Sequence, residues 1–424
     1  MMTDPTVDTT AHPPERRPEP APRSLWRNRD FVLLWSGQAV STLGTRVSGL
    51  ALPFLVLALT HAPAQAGLIG AAQALPYLIF SLPAGALIDR WNRKAVMIRC
   101  DVIRALAFGS VPLAAALGRV TLAQLYLVAL VAGTALVFFD IAEVSCLPRV
   151  APASQLPRAN GLNATADATA LVAGPSVSGV IISLARTQSA GAVLAYLVDS
   201  LSYLASVVSL LFIRIPFQAE RAPGGRRSLR ADIAEGIRFL WAHHQLRVLA
   251  LSVLSTNLLL TPLSLVVIVL GQKHLHLTAR DIGLIIGVAG VGALAGSALA
   301  PWIVARVRTG HLIIGGVLLW ALGAAIIAVA VSGSMVLGGE LLINVLTPVV
   351  NVAGLSYRLG LIPDALQGRV NSAYRLAAFG GIPLGTAGEG VLLGYVDPRT
   401  VLWMIVVGLV LTALAVSTTD VCWA

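Results

Sequence analysis

Long apolar runs separated by short polar connectors fill the chain from about residue 31 onward. Strings such as ALPFLVLALT and LAQLYLVALVAGTALVFF are continuous. They lack the alternating polarity, in segments of about ten residues, that marks a membrane β-barrel. A spanning helix needs about 20 mostly apolar residues. On that rule the pattern predicts helices near 31–59, 66–88, 95–117, 121–145, 160–184 and 190–213. Six more are predicted near 247–271, 281–305, 311–331, 335–358, 371–394 and 400–418.

The polar stretch 214–246 divides these spans into two sets of six. Gly224 and Gly225 interrupt it, and LRADIAEGIRFLWAHH then places Ile233, Ile237 and Trp241 on one face of an amphipathic surface helix. The expected organisation is a disordered cytosolic tail (1–30), a six-helix bundle (31–213), a cytosolic linker carrying the amphipathic helix (214–246), and a second six-helix bundle (247–424). A faint repeat supports duplication. SLPAGALIDRWNRK (Ser81 to Lys94) and SALAPWIVARVRTG (Ser297 to Gly310) follow the second and eighth spans at an offset of 216 residues. Arg90 falls opposite Arg306, but Asp89 falls opposite Ala305.

Composition turns the pattern into a fold class. The 424 residues are 56% hydrophobic and 12% charged, about half the charge of a soluble domain. Backbone groups in hydrocarbon must bond internally, so the expectation is an all-α integral membrane protein of twelve transmembrane helices. The net charge of +10 is no nucleic-acid surface, because the arginines sit in connectors and Lys94 and Lys273 are the sole lysines. Of the 30 Lys and Arg, 23 fall on one side of the spans and 5 on the other, with Arg46 and Arg104 inside them. By the positive-inside rule both termini are then cytosolic, in a cytoplasmic membrane. Residues 1–30, rich in Pro, Arg and Glu, lack the apolar core of a signal peptide. Cys100, Cys146 and Cys422 have no metal-ligand spacing, and no phosphate-binding loop, H-E-x-x-H or G-x-S-x-G string occurs. Neither a metal, a cofactor, an ATP-driven pump nor an intramembrane enzyme is expected.

One string is specific. GALIDRWNRK carries Gly85, Asp89, Arg90, Arg93 and Lys94 in the loop after the second span. It resembles the G-x-x-x-D-R-x-x-R-K signature of the major facilitator superfamily. NRDFVLLWSGQAVSTLG, LPRANGLNA, EGIRFLW and GRVNSAYR resemble its drug–proton antiporter branch, which includes macrolide and siderophore exporters. The resemblance runs from about residue 27 to about residue 415. It implies two pseudo-symmetric six-helix bundles, export of a small, largely apolar compound, protons as coupling ion, and a monomer. It also places Asp89 at the cytosolic start of the eleventh helix, where a helix N-terminus favours an anion and the two bundles would be latched. Gly85 is expected to let the second helix pack closely, and Arg93 to pair with Asp140. AGPSVSG on the fifth helix, with Gly174, Pro175 and Gly179, resembles a shortened exporter motif that bends a helix. An importer or uniporter of the same fold, or a non-transporting receptor or scaffold, stays open.

Ionisable groups inside spans are functional candidates because burying them unpaired is costly. Asp101 and Arg104, three apart, are expected to form a structural pair on one helix face. Asp140 and Glu143, also three apart, would share a proton more readily than carry two charges. Glu143, Asp199 and Asp140 are therefore the proton-coupling candidates, with Arg46 as alternating counter-ion. Glu340 and Glu389 lie toward outer helix ends and are expected to be wet. Gln38, Gln73, Asn163, Asn257, Asn344 and Asn351, with Phe138, Phe139 and Tyr357, are candidates to line a mostly apolar cavity for a small-molecule substrate.

Overall fold

The structure is a computed structural model that describes residues 25–88, 90–217, 229–363 and 366–419. In the first half α1 spans Arg29–Thr60, α2 Pro63–Ile88, α3 Arg93–Ala116, α4 Leu122–Val150, α5 Leu156–Leu184 and α6 Gln188–Phe212. After a surface helix, α7 (Leu229–Ala242), come α8 (His244–Leu260), α9 (Leu263–Lys273) and α10 (Ala279–Val304). The chain ends with α11 (Thr309–Ala328), α12 (Gly333–Leu361), α13 (Gln367–Phe379), α14 (Gly381–Tyr395) and α15 (Pro398–Ser417).

Ten segments are long and apolar enough to cross a membrane by length and composition, counting α8–α9 and α13–α14 as one each. Helices α2 and α3 complete the twelve. Two predicted continuous spans are broken. Pro262 lacks the N–H that would carry α8 into α9, and the Gly380–Gly381 pair divides α13 from α14. Helix starts follow capping chemistry: the side chains of Asn28, Asn92, Thr121, Thr187 and Asp397 accept first-turn N–H groups, and Thr278 with Asp281 forms a capping box.

The packing repeats between halves. In the first, α1 packs on α5 and α6, α2 on α4, and α3 on α4 and α6. In the second, α8 packs on α13, α14 and α15, α10 on α12, and α11 on α12 and α15. Each contact of one half has its counterpart in the other. The halves meet along two equivalent seams, α2 with α14 and α5 with α10. Both seams need glycine. A Cβ on Gly67 would strike the Thr386 carbonyl and Gly390, and one on Gly179 would strike the Ala279 carbonyl and Gly283. All four glycines lie toward the end remote from the arginine-rich connectors, called here the far end. The opposite end is the basic end.

Two boundary expectations change. Residues 25–30 belong to the folded body, not to a tail: Leu25 is buried, Asn28 Nδ2 donates to the Val150 carbonyl at 2.8 Å, and Asp30 accepts from the backbone N–H of Arg214 and Ile215. Residues 1–24 lie outside the described residues. Helix α7 forms as expected, but Ile237 and Trp241 face outward, while Gly236 and Leu240 pack toward α13. The reason is backbone proximity. Gly236 lies against the Arg369 carbonyl, and Arg369 pairs with Glu235 at 2.5 Å. The Ile233 side chain lies outside the described residues.

Candidate functional site

The signature loop is a basic staple. Lys94 Nζ donates to the Ile213 carbonyl at 2.7 Å and the Leu211 carbonyl at 3.4 Å, capping the end of α6. Arg93 donates to the Ser145 carbonyl on α4 at 3.1 Å. The expected Arg93–Asp140 ion pair does not form within 4.0 Å among the described residues, and Arg93 meets a backbone carbonyl further along α4 instead. Asp89 lies outside the described residues. Gly85 differs from expectation, since a Cβ there would meet nothing within 4 Å among the described residues. The close approaches come from the other motif. Gly174 packs against Arg46 on α1, and the Pro175 carbonyl and Gly179 pack against Gly283 on α10. Helix α5 runs unbroken through Pro175.

A cavity of about 820 Å³ is built chiefly by the second half. It runs from Glu340 and Leu263, toward the far end, to Arg358 and Tyr374, toward the basic end. Its walls are apolar (Val253, Ile286, Val317, Trp320, Ile343), with Asn257, Asn344 and Asn351 among the polar groups, as the sequence suggested. Arg46 and Leu171 are the first-half residues on its wall. Other candidates lie elsewhere. Gln38 and Asn163 line a small crevice with Glu143 between α1, α4 and α5. The Gln73 backbone is pressed against Gly133, and Phe139 is buried beneath the Arg104 guanidinium, 5.7 Å from its ring centre. Phe138 stacks on Trp91, and Tyr357 packs against the cluster shared by α8 and α13.

Behind α1, a polar cluster is shut away from the cavity. Asp101 and Asp199 are 0% exposed and Arg104 is 4% exposed. Arg104 pairs with Asp101 at 3.6 Å, as the spacing predicts. It also donates to the Tyr203 hydroxyl at 2.8 Å and to Thr45 at 3.2 Å, with its guanidinium 4.0 Å over the Tyr203 ring. Asp199 accepts from Ser48 at 2.5 Å and from Ser202 at 3.2 Å. The expected counter-ion changes. Arg104 serves this cluster, whereas Arg46 is exposed at the cavity and acts on Asp167 of α5. Asp167 was missed because one acid among the polar residues early in α5 carries no periodic signal.

Glu340 and Glu389 also depart from expectation, being 7% and 5% exposed. Glu340 accepts from Asn344 Nδ2 at 3.1 Å. Neither oxygen of Glu389, beside the Gly67–Gly390 crossing, finds a hydrogen-bond partner among the described residues. Helices α10 and α11 pack on α12, which carries Glu340, and α2 packs on α14, which carries Glu389, so distance from the helix end did not make them wet. Arg358 and Arg375, counted as connector charges in the sequence, line the cavity instead. The signal for Arg375 was the aromatic spacing of AYRLAAF, which sets Phe379 four residues beyond it.

Comparison with known proteins places this architecture. The multidrug efflux pump Tap of Mycobacterium tuberculosis is 28% identical over 254 residues, 57% of this chain and 58% of that protein. Macrolide efflux protein A of Streptococcus pyogenes is 23% identical over 210 residues, 50% of this chain and 51% of that one. The matches thus span somewhat over half the length of these curated relatives. Among solved structures, the nucleoside transporter NupG aligns over 92% of this chain and 98% of its own at a TM-score of 0.74 and 13% identity. A bacterial ferroportin homologue aligns at 0.70 when inward-facing (93% of this chain, 99% of its own) and at 0.59 when outward-facing (92% and 98%), both at 18% identity. The Major Facilitator Superfamily profile matches residues 34–386. With twelve spans in two equivalent sets and a large cavity lined chiefly by the second, this chain belongs to the Major Facilitator Superfamily of membrane transporters.

Proposed function

We propose that the protein exports a small, largely apolar compound across the cytoplasmic membrane by alternating access, in exchange for protons, with the basic end and both termini in the cytosol. The observation that carries this reading is the cavity of about 820 Å³, walled by apolar side chains with a few amides, while glycine seams join the halves at the far end. That is a conformation in which a compound is collected from the basic side. The better fit to an inward-facing neighbour than to the same protein facing outward supports it. Efflux is the named role of both curated relatives, which supports the direction. For coupling, two buried carboxylates, Asp101 and Asp199, face one buried Arg104, an arrangement that favours one retained proton. Asp140 and Glu143 on α4 supply a second, more accessible pair. The signature residues Asp89 to Lys94 act as the basic-end latch, and the protein works as a monomer.

Inverted vesicles holding the purified protein and a preset proton gradient test the reading. A panel of small, largely apolar compounds of differing charge should include some that collapse the gradient with saturation, and Asp199→Asn should abolish the response while preserving substrate binding. Transport of the same compounds without any gradient change would favour a uniporter.

A further inference from the structure

Three arginines from three helices line this cavity: Arg46 of α1, Arg358 of α12 and Arg375 of α13. None takes part in an ion pair within 4.0 Å among the described residues. Aromatic groups hold two of them in place. The Arg358 guanidinium lies 3.9 Å over the Tyr374 ring, and Arg375 lies 5.7 Å from the Phe379 ring and donates to the Tyr77 hydroxyl at 2.6 Å. The Arg358 Nε is buried and finds no acceptor among the described residues. Such stacking fixes a guanidinium's direction without neutralising it. Acids of the first half act on these cations only at longer range, Asp140 on Arg375 and Asp167 on Arg46. The cavity's own carboxylate, Glu340, sits toward the opposite end and is engaged by Asn344.

Resting on the reading of this cavity as the substrate site, we infer that the transported compound is an organic anion, a carboxylate on an apolar body. Its charged end sits between Arg358 and Arg375. A carboxylate matches the planar guanidinium fork with two parallel hydrogen bonds, and it would supply the acceptor that Arg358 Nε lacks. Its apolar body would lie along Val253, Val317, Trp320 and Ile343. On entry the anion takes over the counter-ion role that Asp140 fills from a distance.

The test uses three probes sharing one fluorophore: dansylglycine (anionic), dansylamide (neutral) and dansylcadaverine (cationic), titrated onto the purified full chain in lipid nanodiscs. Dansylglycine should bind about ten- to a hundredfold more tightly than the others, the worth of one or two charge-assisted hydrogen bonds. The double variant Arg358→Gln with Arg375→Gln should lose that advantage and keep dansylamide binding, which also reports an intact cavity. Should the double variant fail to bind dansylamide, Arg375→Gln alone, which leaves the Arg358–Tyr374 stack in place, is read instead. Equal affinity for all three probes overturns the inference. So does a preference for dansylcadaverine that Glu340→Gln removes. Binding is read without direction or proton coupling, so a failed vesicle assay and a failed anion preference are separate results.

Discussion

The two halves share a packing scheme but place their charges differently. In the first, Asp101, Arg104 and Asp199 are sealed between α1, α3 and α6: Arg104 pairs with Asp101 and donates to Tyr203, Asp199 accepts from Ser48 and Ser202, and the Asp101 oxygens find no hydrogen-bond partner among the described residues. In the second, the corresponding helices α8, α11 and α15 pack chiefly through apolar side chains with a Ser255–Thr412 hydroxyl contact, and the charges Arg358 and Arg375 stand on the cavity wall. Equivalent backbones can therefore carry a buried polar clamp in one copy and a ligand-facing surface in the other. A helix bundle fixes where side chains project, and the chemistry at each projection is free to diverge.

Removing charge from each half in turn puts the largest strain on this contrast. Arg104→Leu leaves two buried carboxylates facing one another and should cost about 3–5 kcal/mol, read as a fall in Tm of the purified protein. Arg358→Gln should leave Tm almost unchanged, and an equal fall in both variants would erase the distinction. Next come the glycines. Gly67→Leu, pressed on the α14 backbone, should destabilise the far-end seam by about 1–3 kcal/mol. Gly85→Ala meets no neighbour and should stay within about 0.5 kcal/mol of the parent, on the stabilising side.

Glu389 offers an effect of opposite sign. Replacing it with Met removes two unpartnered buried oxygens and should raise stability by about 1–3 kcal/mol. A loss instead would mean that the carboxyl has a partner its surroundings do not reveal. The smallest effect is expected at Asp397, outside the bundle core. Burial works against its charge, but the Arg399 N–H, His274 at 2.7 Å and Lys273 hold its carboxyl below the ordinary range. Its folded pKa being lowered, its contribution is present above about pH 4 and fades as the pH drops further. Asp397→Ala, which also removes the cap of α15, should cost about 1 kcal/mol at neutral pH and less in acid.

Much of this was legible beforehand because lipid imposes a simple rule. Every crossing helix appeared within a few residues of its apolar run, since hydrocarbon tolerates few polar side chains. The Asp101–Arg104 pair followed from helical spacing alone, and Asn257, Asn344 and Asn351 proved to be cavity residues. The failures share a cause. Arg46, Glu340 and Glu389 were judged by distance along a helix, yet their surroundings depend on which neighbouring helix covers that face.

The sequence by itself determined the number of crossings, their approximate ends, the sidedness of basic charge and the superfamily, because each is written in local composition or in one contiguous loop. Only the tertiary structure decided that Arg104 reaches Thr45 and Tyr203 on two other helices, that the halves close on glycine seams at the far end, and that three arginines share one cavity. Those facts join residues up to 329 positions apart, Arg46 to Arg375, and no local pattern encodes which helix faces meet.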